Sequence, residues 1–293
     1  MALLHLVLLA ALLLGGVAAR AEVVVRDDSG ATVRLAQPAR RIVSLAPHAT
    51  ENLYAAGAGG KVVGAVDYSD FPEAARRLSR VGSYDRPDLE AVLAQKPDLV
   101  IAWWSGTPPN LVTRLRKLGI PVYQSEPRRL ADIADNIEDF GRLAGSEATA
   151  APAAQSFRRR LAELRARHAA QPAVPLFYQV WNQPLMTVGG GQIISEVIAA
   201  CGGENRFASL AGLAPAVSVE AVLAADPEAI VASGMGSDNP IGLDDWRTWK
   251  QMRAVARGNL FYVPADLMQR STPRLLDGAE QLCRHLETAR GRR

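Results

Sequence analysis

Two stretches of the chain are near copies of each other. Residues Leu89 to Ala102 read LEAVLAQKPDLVIA and residues Val219 to Ala232 read VEAVLAADPEAIVA, identical at seven of fourteen positions and offset by 130 residues. Any fold the chain adopts must hold the same helix-then-strand unit twice. Solenoid repeats recur at roughly 20 to 50 residues, too short a period for this pair. An offset near a domain length implies two lobes of one architecture. Generic apolar patterning is the plainer account of the likeness, and the surrounding chain has to decide between the two.

That surrounding chain alternates strands and helices. EVVVRDDSGATVRL alternates apolar and polar residues around Asp28-Ser29-Gly30, a hairpin signal. A strand at Ile42 to Leu45 leads into a helix expected to open on Thr50 as N-cap and to stop near Gly57. VVGAV, LVIAWW and IPVYQ continue as strands, and SGTPPNLVTRLRKLG reads as a helix. From Ser146 to Ala170 the pattern changes to 25 residues without glycine, with Phe157, Leu161, Leu164 and His168 on one stripe. As a helix this segment spans roughly 37 Å, enough for a rigid strut. After Gln171 the alternation restarts with VPLFYQVW, GGGQIISEVIAACGG, AIVAS, LFYVPAD and STPRLLDGAEQLCRHL. Alternation of this kind predicts an α/β fold with parallel sheets. The plan is lobe, strut, lobe: a leader at 1–21, lobes at 22–145 and 171–293, and the linking helix at 146–170. A continuous helix has no hinge, so lobe closure should be small.

The leader expectation rests on the apolar run from Ala2 to Leu14, too short for a confident membrane span, followed by Ala19-Arg20-Ala21, which fits an A-x-A cleavage site. Export makes the only two cysteines, Cys201 and Cys283, readable as one disulfide. The net charge of +3 is small, and no basic run alternates with aromatics, so nucleic acid is not an expected partner. The terminal arginines Arg284, Arg290, Arg292 and Arg293 read as a frayed, solvated tail.

In open α/β sheets the ligand sits beyond the carboxyl ends of the strands. Those ends are Ala46-Pro47-His48, Asp67-Tyr68-Ser69-Asp70, Trp103-Trp104-Ser105, Trp181-Asn182-Gln183, Ser233-Gly234-Met235 and Asp266-Leu267-Met268, which include three of the five tryptophans. Aromatic and neutral polar groups suit a large, flat, amide-bearing ligand better than a phosphate or bare ion. Of the adjacent pair Trp103 and Trp104, one is expected to be buried. Nucleophile-elbow, Walker and dinucleotide motifs are missing, so no catalytic residue and no catalytic cofactor is assigned. The remaining histidines assemble no metal site; His168 and His285 read as exposed helix residues. His48 reads either as a hydrogen-bonded loop histidine or as a ligand to a metal held inside a chelate such as haem.

RRIVSLAPHATENLYAAG, the KPDLVIA unit, the long linking helix and CGGENRF together resemble the bacterial ABC-importer binding proteins whose two lobes are joined by one rigid helix. That class carries cobalamin, haem and ferric siderophores. APHATE, DYSDFP, KPDLVIAW, CGGEN and the run from Asp266 through Arg270 to Pro273-Arg274 are most similar to its cobalamin-binding family. The resemblance implies two Rossmann-like lobes with the ligand in the cleft between them. It places corrinoid contacts on Tyr68, on Tyr84 where the family has tryptophan, and on Asp266, Leu267, Met268, Gln269 and Arg270, and it pairs Cys201 with Cys283. Leu267 and Met268 stand where the family has aromatics, and Ala214 where it has a pocket tryptophan. Trp181 is a candidate to refill that space. With Pro47, His48 and Trp103 these residues make the expected ligand site.

The resemblance also gives the repeat a use. Each copy carries a glutamate in its first helical turn, Glu90 and Glu220. A first-turn carboxylate favours the positive end of the helix dipole, which accounts for either one alone. In the family the matching glutamates dock on arginines of a two-fold-symmetric permease dimer with its ATPase subunits. The expected protein is a monomeric, soluble periplasmic carrier of cobalamin. The alternatives are a haem or ferric-siderophore carrier of the same class and, more remotely, a secreted enzyme on a similar scaffold.

Overall fold

The computed structural model describes residues 22–234 and 242–293, so the leader and Met235 lie outside the described residues. A hairpin of β1 (Val23–Arg26) and β2 (Thr32–Leu35) opens the chain. The first lobe follows with β3 (Ile42–Ser44), α1 (Pro47–Ala55), β4 (Val62–Ala65), β5 (Ser79–Arg80), α2 (Leu89–Ala94), β6 (Leu99–Trp103), α3 (Pro109–Lys117), β7 (Val122–Ser125) and α4 (Leu130–Ala144). A single helix, α5 (Glu147–His168), crosses to the second lobe. There the order is β8 (Val174–Gln179), α6 (Ile193–Ala200), β9 (Gly203–Asn205), α7 (Val219–Ala225), β10 (Ala229–Ala232), α8 (Arg253–Ala256), β11 (Leu260–Tyr262), α9 (Ala265–Met268) and α10 (Leu275–Gly291).

The sheets run β5-β4-β3-β6-β7 and β11-β10-β8-β9, and every strand pair in both is parallel. With the two-residue edge strand β5 left out of the count, the second strand from β3 and from β8 lies on one side of the first, the third on the other side, and the fourth outside the third. The lobes therefore share one strand order. The duplicated sequence is the third unit of each, α2 with β6 and α7 with β10. The copies also end alike. Lys96 and Asp226 close their helices at φ 48° and 37°, a left-handed backbone rarely used outside glycine. A proline follows each, Pro97 and Pro227, and stops the helix from continuing.

Helix α5 buries Ala150, Ala154, Phe157, Leu161, Leu164 and His168, a stripe at alternating steps of four and three. That stripe belongs to one continuous core that also holds Ile42 and Ile101 of the first sheet and Val174 and Tyr178 of the second. The strut is thus packed into both lobes along its length. It enters through a tight corner: Gly145 takes φ 63° to end α4. A Cβ on Gly141 would stand 2.3 Å from the Ala150 Cβ, so α4 and α5 approach more closely than any larger residue allows.

Several sequence expectations need correction. Helix α1 starts at Pro47, which suits a first helical position, so Thr50 is no N-cap. Its hydroxyl instead lies within hydrogen-bond reach of the Ser44 and Ser69 hydroxyls and the Ala46 carbonyl. His168 is buried on the strut stripe, and His285 is half-buried, stacked on Phe261. Of the four carboxyl-terminal arginines Arg284 is exposed as expected, but the last three are docked. Arg290 donates to the carbonyls of Pro172, Cys201 and Gly202, Arg292 to Gly258, and Arg293 to Glu228. Orphan carbonyls at loop ends give a guanidinium fork several acceptors at once, which anchors this tail. Cys201 and Cys283 form the disulfide. No helix among the described residues is long and apolar enough to cross a membrane.

Candidate functional site

A cleft of about 570 Å³ opens between the lobes. Its first wall comes from loops that leave the carboxyl ends of β3, β4, β6 and β7. Pro47 and His48 begin α1, Trp103 ends β6, and Glu126, Pro127 and Arg128 follow β7. Tyr68 sits in the turn after β4 at φ 62°, and the residue is 63% exposed. An aromatic residue in that conformation strains the backbone by about 1–2 kcal/mol, a cost found where surroundings hold a residue in place for use. Tyr84 and Trp103 contact each other with centroids 5.8 Å apart. Three aromatic rings thus line one side.

The second wall comes from the other lobe: Gly191, Gln192 and Ile193 at the start of α6, Leu213, Gly234 after β10, Tyr262, Pro264 to Asp266, and Gln269 to Ser271 around α9. Helix α9 is a single turn. Its period turns Met268 inward and leaves Ala265, Asp266, Gln269 and Arg270 on the cleft side. Met268 is fully buried in the core and Leu267 is not on the cleft wall, so neither belongs to the lining. Trp181 also lies off the cleft. After β8 the chain reverses at once, with Trp181 bridged to Met186, and the indole N–H donates to the Gln183 carbonyl. It is not part of the cleft lining, whereas Leu213, next to Ala214, is. Neither member of the tryptophan pair is fully buried: Trp103 is half-buried, and Trp104 is exposed beneath the Arg128 guanidinium at 4.9 Å.

Charge across the cleft is concentrated in one inter-lobe cluster. Glu51 of α1 is only 4% exposed. It accepts from Arg270 at 3.0 Å and from both Nε and Nη2 of Arg274 at 2.9 and 2.7 Å. Arg270 also donates to Asp70 at 2.7 Å and lies 3.2 Å from Asp266. Burial pushes the Asp70 pKa up, but Arg270 more than offsets it and holds the carboxyl below its usual range. Arg274 stacks on Phe71 at 3.9 Å, and Asn52 donates to the Ser271 carbonyl. The second lobe's two arginines are thereby fastened to the first lobe's only buried helix carboxylate in the cluster.

His48 is 8% exposed and edge-on to Trp103. Burial pulls its pKa down to about 4, against an upward pull from Glu126, so the ring is neutral at pH 7. Among the described residues no group of three or more His, Cys, Asp or Glu is placed to hold a metal ion. The cleft is built to receive a broad, partly apolar molecule with hydrogen-bonding edges.

A periplasmic binding protein family model matches residues 42–267. The chain belongs to that family. It is 41% identical to a vitamin B12-binding protein of Vibrio cholerae over 86% of this chain and 91% of the relative. A vitamin B12-binding protein of Yersinia pestis is 37% identical over 86% of this chain and 88% of its own length. The crystal structure of the periplasmic vitamin B12 binding protein of Vibrio cholerae superposes with a TM-score of 0.79 at 40% identity, covering 86% of this chain and 98% of that one. A periplasmic heme binding protein of Pseudomonas aeruginosa superposes at 0.72 with 26% identity, covering 84% and 91%.

Of the expected ligand residues, the fold brings Pro47, His48, Tyr68, Tyr84, Trp103, Asp266, Gln269 and Arg270 to one cleft. Glu90 and Glu220 lie on the exposed first turns of α2 and α7. Sequence reasoning missed Glu126 to Arg128, Gln192, Leu213 and Tyr262. The SEPRR stretch after IPVYQ offered the same strand-end signal as the others and could have supplied the first three.

Proposed function

We propose that the protein captures a corrinoid in the inter-lobe cleft and delivers it, unchanged, to an ABC import permease. The observation that carries this reading is the aromatic wall of Tyr68, Tyr84 and Trp103 facing polar Gln192, Gln269 and Asp266. A corrin ring offers an apolar face to the aromatics and carboxamides to the polar wall. The similarity to vitamin B12-binding proteins supports the same ligand. The protein would work in the periplasm after loss of residues 1–21. Calorimetric titration with cyanocobalamin tests the reading: one site of micromolar affinity or better is expected, and no heat at tens of micromolar overturns it. A parallel titration with haemin probes the haem reading, which the 26%-identical heme-binding structure favours. A new Soret band without cyanocobalamin binding would replace corrinoid by haem.

Delivery is assigned to Glu90 and Glu220. Both are exposed first-turn glutamates of topologically equivalent helices. A pair of this kind matches a partner with two-fold symmetry. Rim charges act mainly on association rate and its salt dependence. The double variant Glu90→Ala/Glu220→Ala should therefore bind cyanocobalamin as the parent does. It should be captured more slowly by permease reconstituted in vesicles, with the larger deficit at low salt, where screening is weakest. Undiminished capture would leave the two glutamates as helix-dipole residues only.

A further inference from the structure

The amino-terminal hairpin reaches the cleft through an unbroken file of polar groups, from half-buried Asp28 to buried Asn136, Ser125 and His48. Its turn residue Asp28 accepts from the Glu126 backbone N–H at 2.6 Å and from Asn136 Nδ2 at 3.0 and 3.1 Å. Both carboxylate oxygens face N–H donors, so Asp28 serves as an acceptor. That orients the Asn136 amide, because the reversed group would set its oxygen against the carboxylate. Asn136 Oδ1 then accepts the hydrogen bond of the Ser125 hydroxyl at 2.5 Å. Ser125 has no second proton, so towards His48 Nε2, 3.3 Å away, its oxygen can only accept. His48 must carry its proton on Nε2. Since burial keeps this imidazole neutral, Nδ1 holds a bare lone pair. No described residue hydrogen-bonds to Nδ1. The ring itself is part of the cleft wall.

We infer that the Asp28–Asn136–Ser125 file holds His48 as its Nε2–H tautomer, so that Nδ1 faces the cleft as a hydrogen-bond acceptor for an N–H group of the ligand. His48 is then a specificity residue. Its lone pair accepts from a carboxamide and repels a carboxylate, which separates an amide-edged corrinoid from an acid-edged macrocycle such as a porphyrin. Asp28, Asn136 and Ser125 are positioning residues that act through it. The identity of the ligand rests on the corrinoid reading, whereas the tautomer does not.

Long-range proton–nitrogen correlation spectra of the ligand-free, ¹⁵N-histidine-labelled protein decide the tautomer, with His48→Phe identifying the His48 signals. A protonated Nε2 and an unprotonated Nδ1 are expected; a protonated Nδ1 overturns the inference. Ser125→Ala should mix the two forms and Ser125→Thr should restore the Nε2–H form, a result that simple space-filling does not produce. In calorimetry, His48→Phe keeps the ring and removes both nitrogens. It should weaken cyanocobalamin about tenfold, in line with an unmet buried donor, and shrink the preference for cyanocobalamin over a derivative hydrolysed at one peripheral amide. Unchanged affinity in His48→Phe, with cyanocobalamin binding intact in the parent, overturns the acceptor role. If the parent shows the expected tautomer and no cyanocobalamin binding, the corrinoid reading fails and the tautomer assignment stands.

Discussion

Glu51→Ala should destabilise the fold by about 3–5 kcal/mol, because it strips a buried ion cluster of its one central anion. Arg270 would keep Asp70 and Asp266, so its loss is limited. Arg274 would keep the face of Phe71 and the longer-range attraction of Asp70, with no carboxylate in hydrogen-bond contact among the described residues. The penalty therefore falls mainly on an unpaired guanidinium between the lobes, and the lower end of the range is expected. Urea unfolding followed by circular dichroism gives the measurement. A shift under 1 kcal/mol would show that water reaches the cluster and screens it. A second variant separates electrostatics from packing. In Glu51→Leu/Arg274→Met both partners are replaced by apolar groups of similar size, which is often neutral for buried pairs. That double variant should recover most of the loss. A double variant as unstable as Glu51→Ala would mean that the cluster stabilises through shape rather than charge.

Glu51 is also a case of what a sequence conceals. Its partners are 219 and 223 residues away in the chain. Nothing local distinguishes the glutamate of APHATE from an exposed helix residue, and the pairing exists only because α5 holds the lobes at a fixed distance. The parts of the site that were legible have local causes. Strand ends announce themselves by a run of apolar residues giving way to polar and aromatic ones, so Pro47, His48, Tyr68 and Trp103 could be placed on the cleft from the chain alone. The duplicated unit was legible for the same reason, since its cap, helix, left-handed stop and proline are all local chemistry. Met268 and Trp181 failed where a linear run was read without its period. A one-turn helix aims Met268 at the core, and a tight reversal after β8 carries Trp181 past the cleft. The docked arginine tail failed for a third reason. Its acceptors are carbonyls left free by turns, which no side-chain pattern advertises.

Reducing the Cys201–Cys283 bridge should lower stability by about 4 kcal/mol without changing ligand affinity. The bridge joins the end of α6 to the middle of α10 across a separation of 82 residues. Most of its effect lies in the unfolded chain, where it forbids the expanded conformations of a long loop. The folded lobe has other ties at the same place. Arg290 donates to the carbonyls of Cys201 and Gly202 from the same helix α10, so the segment stays seated once the sulfurs part. Neither cysteine lines the cleft. Reduced and oxidised protein should therefore titrate alike with cyanocobalamin in the absence of denaturant. In urea the reduced form should unfold at a lower midpoint and with a steeper dependence on denaturant, because an uncrosslinked chain exposes more surface. Loss of ligand binding on reduction would show instead that the bridge shapes the folded lobe. An unshifted midpoint would mean that the long loop is already confined in the unfolded state, leaving the bridge little entropy to remove.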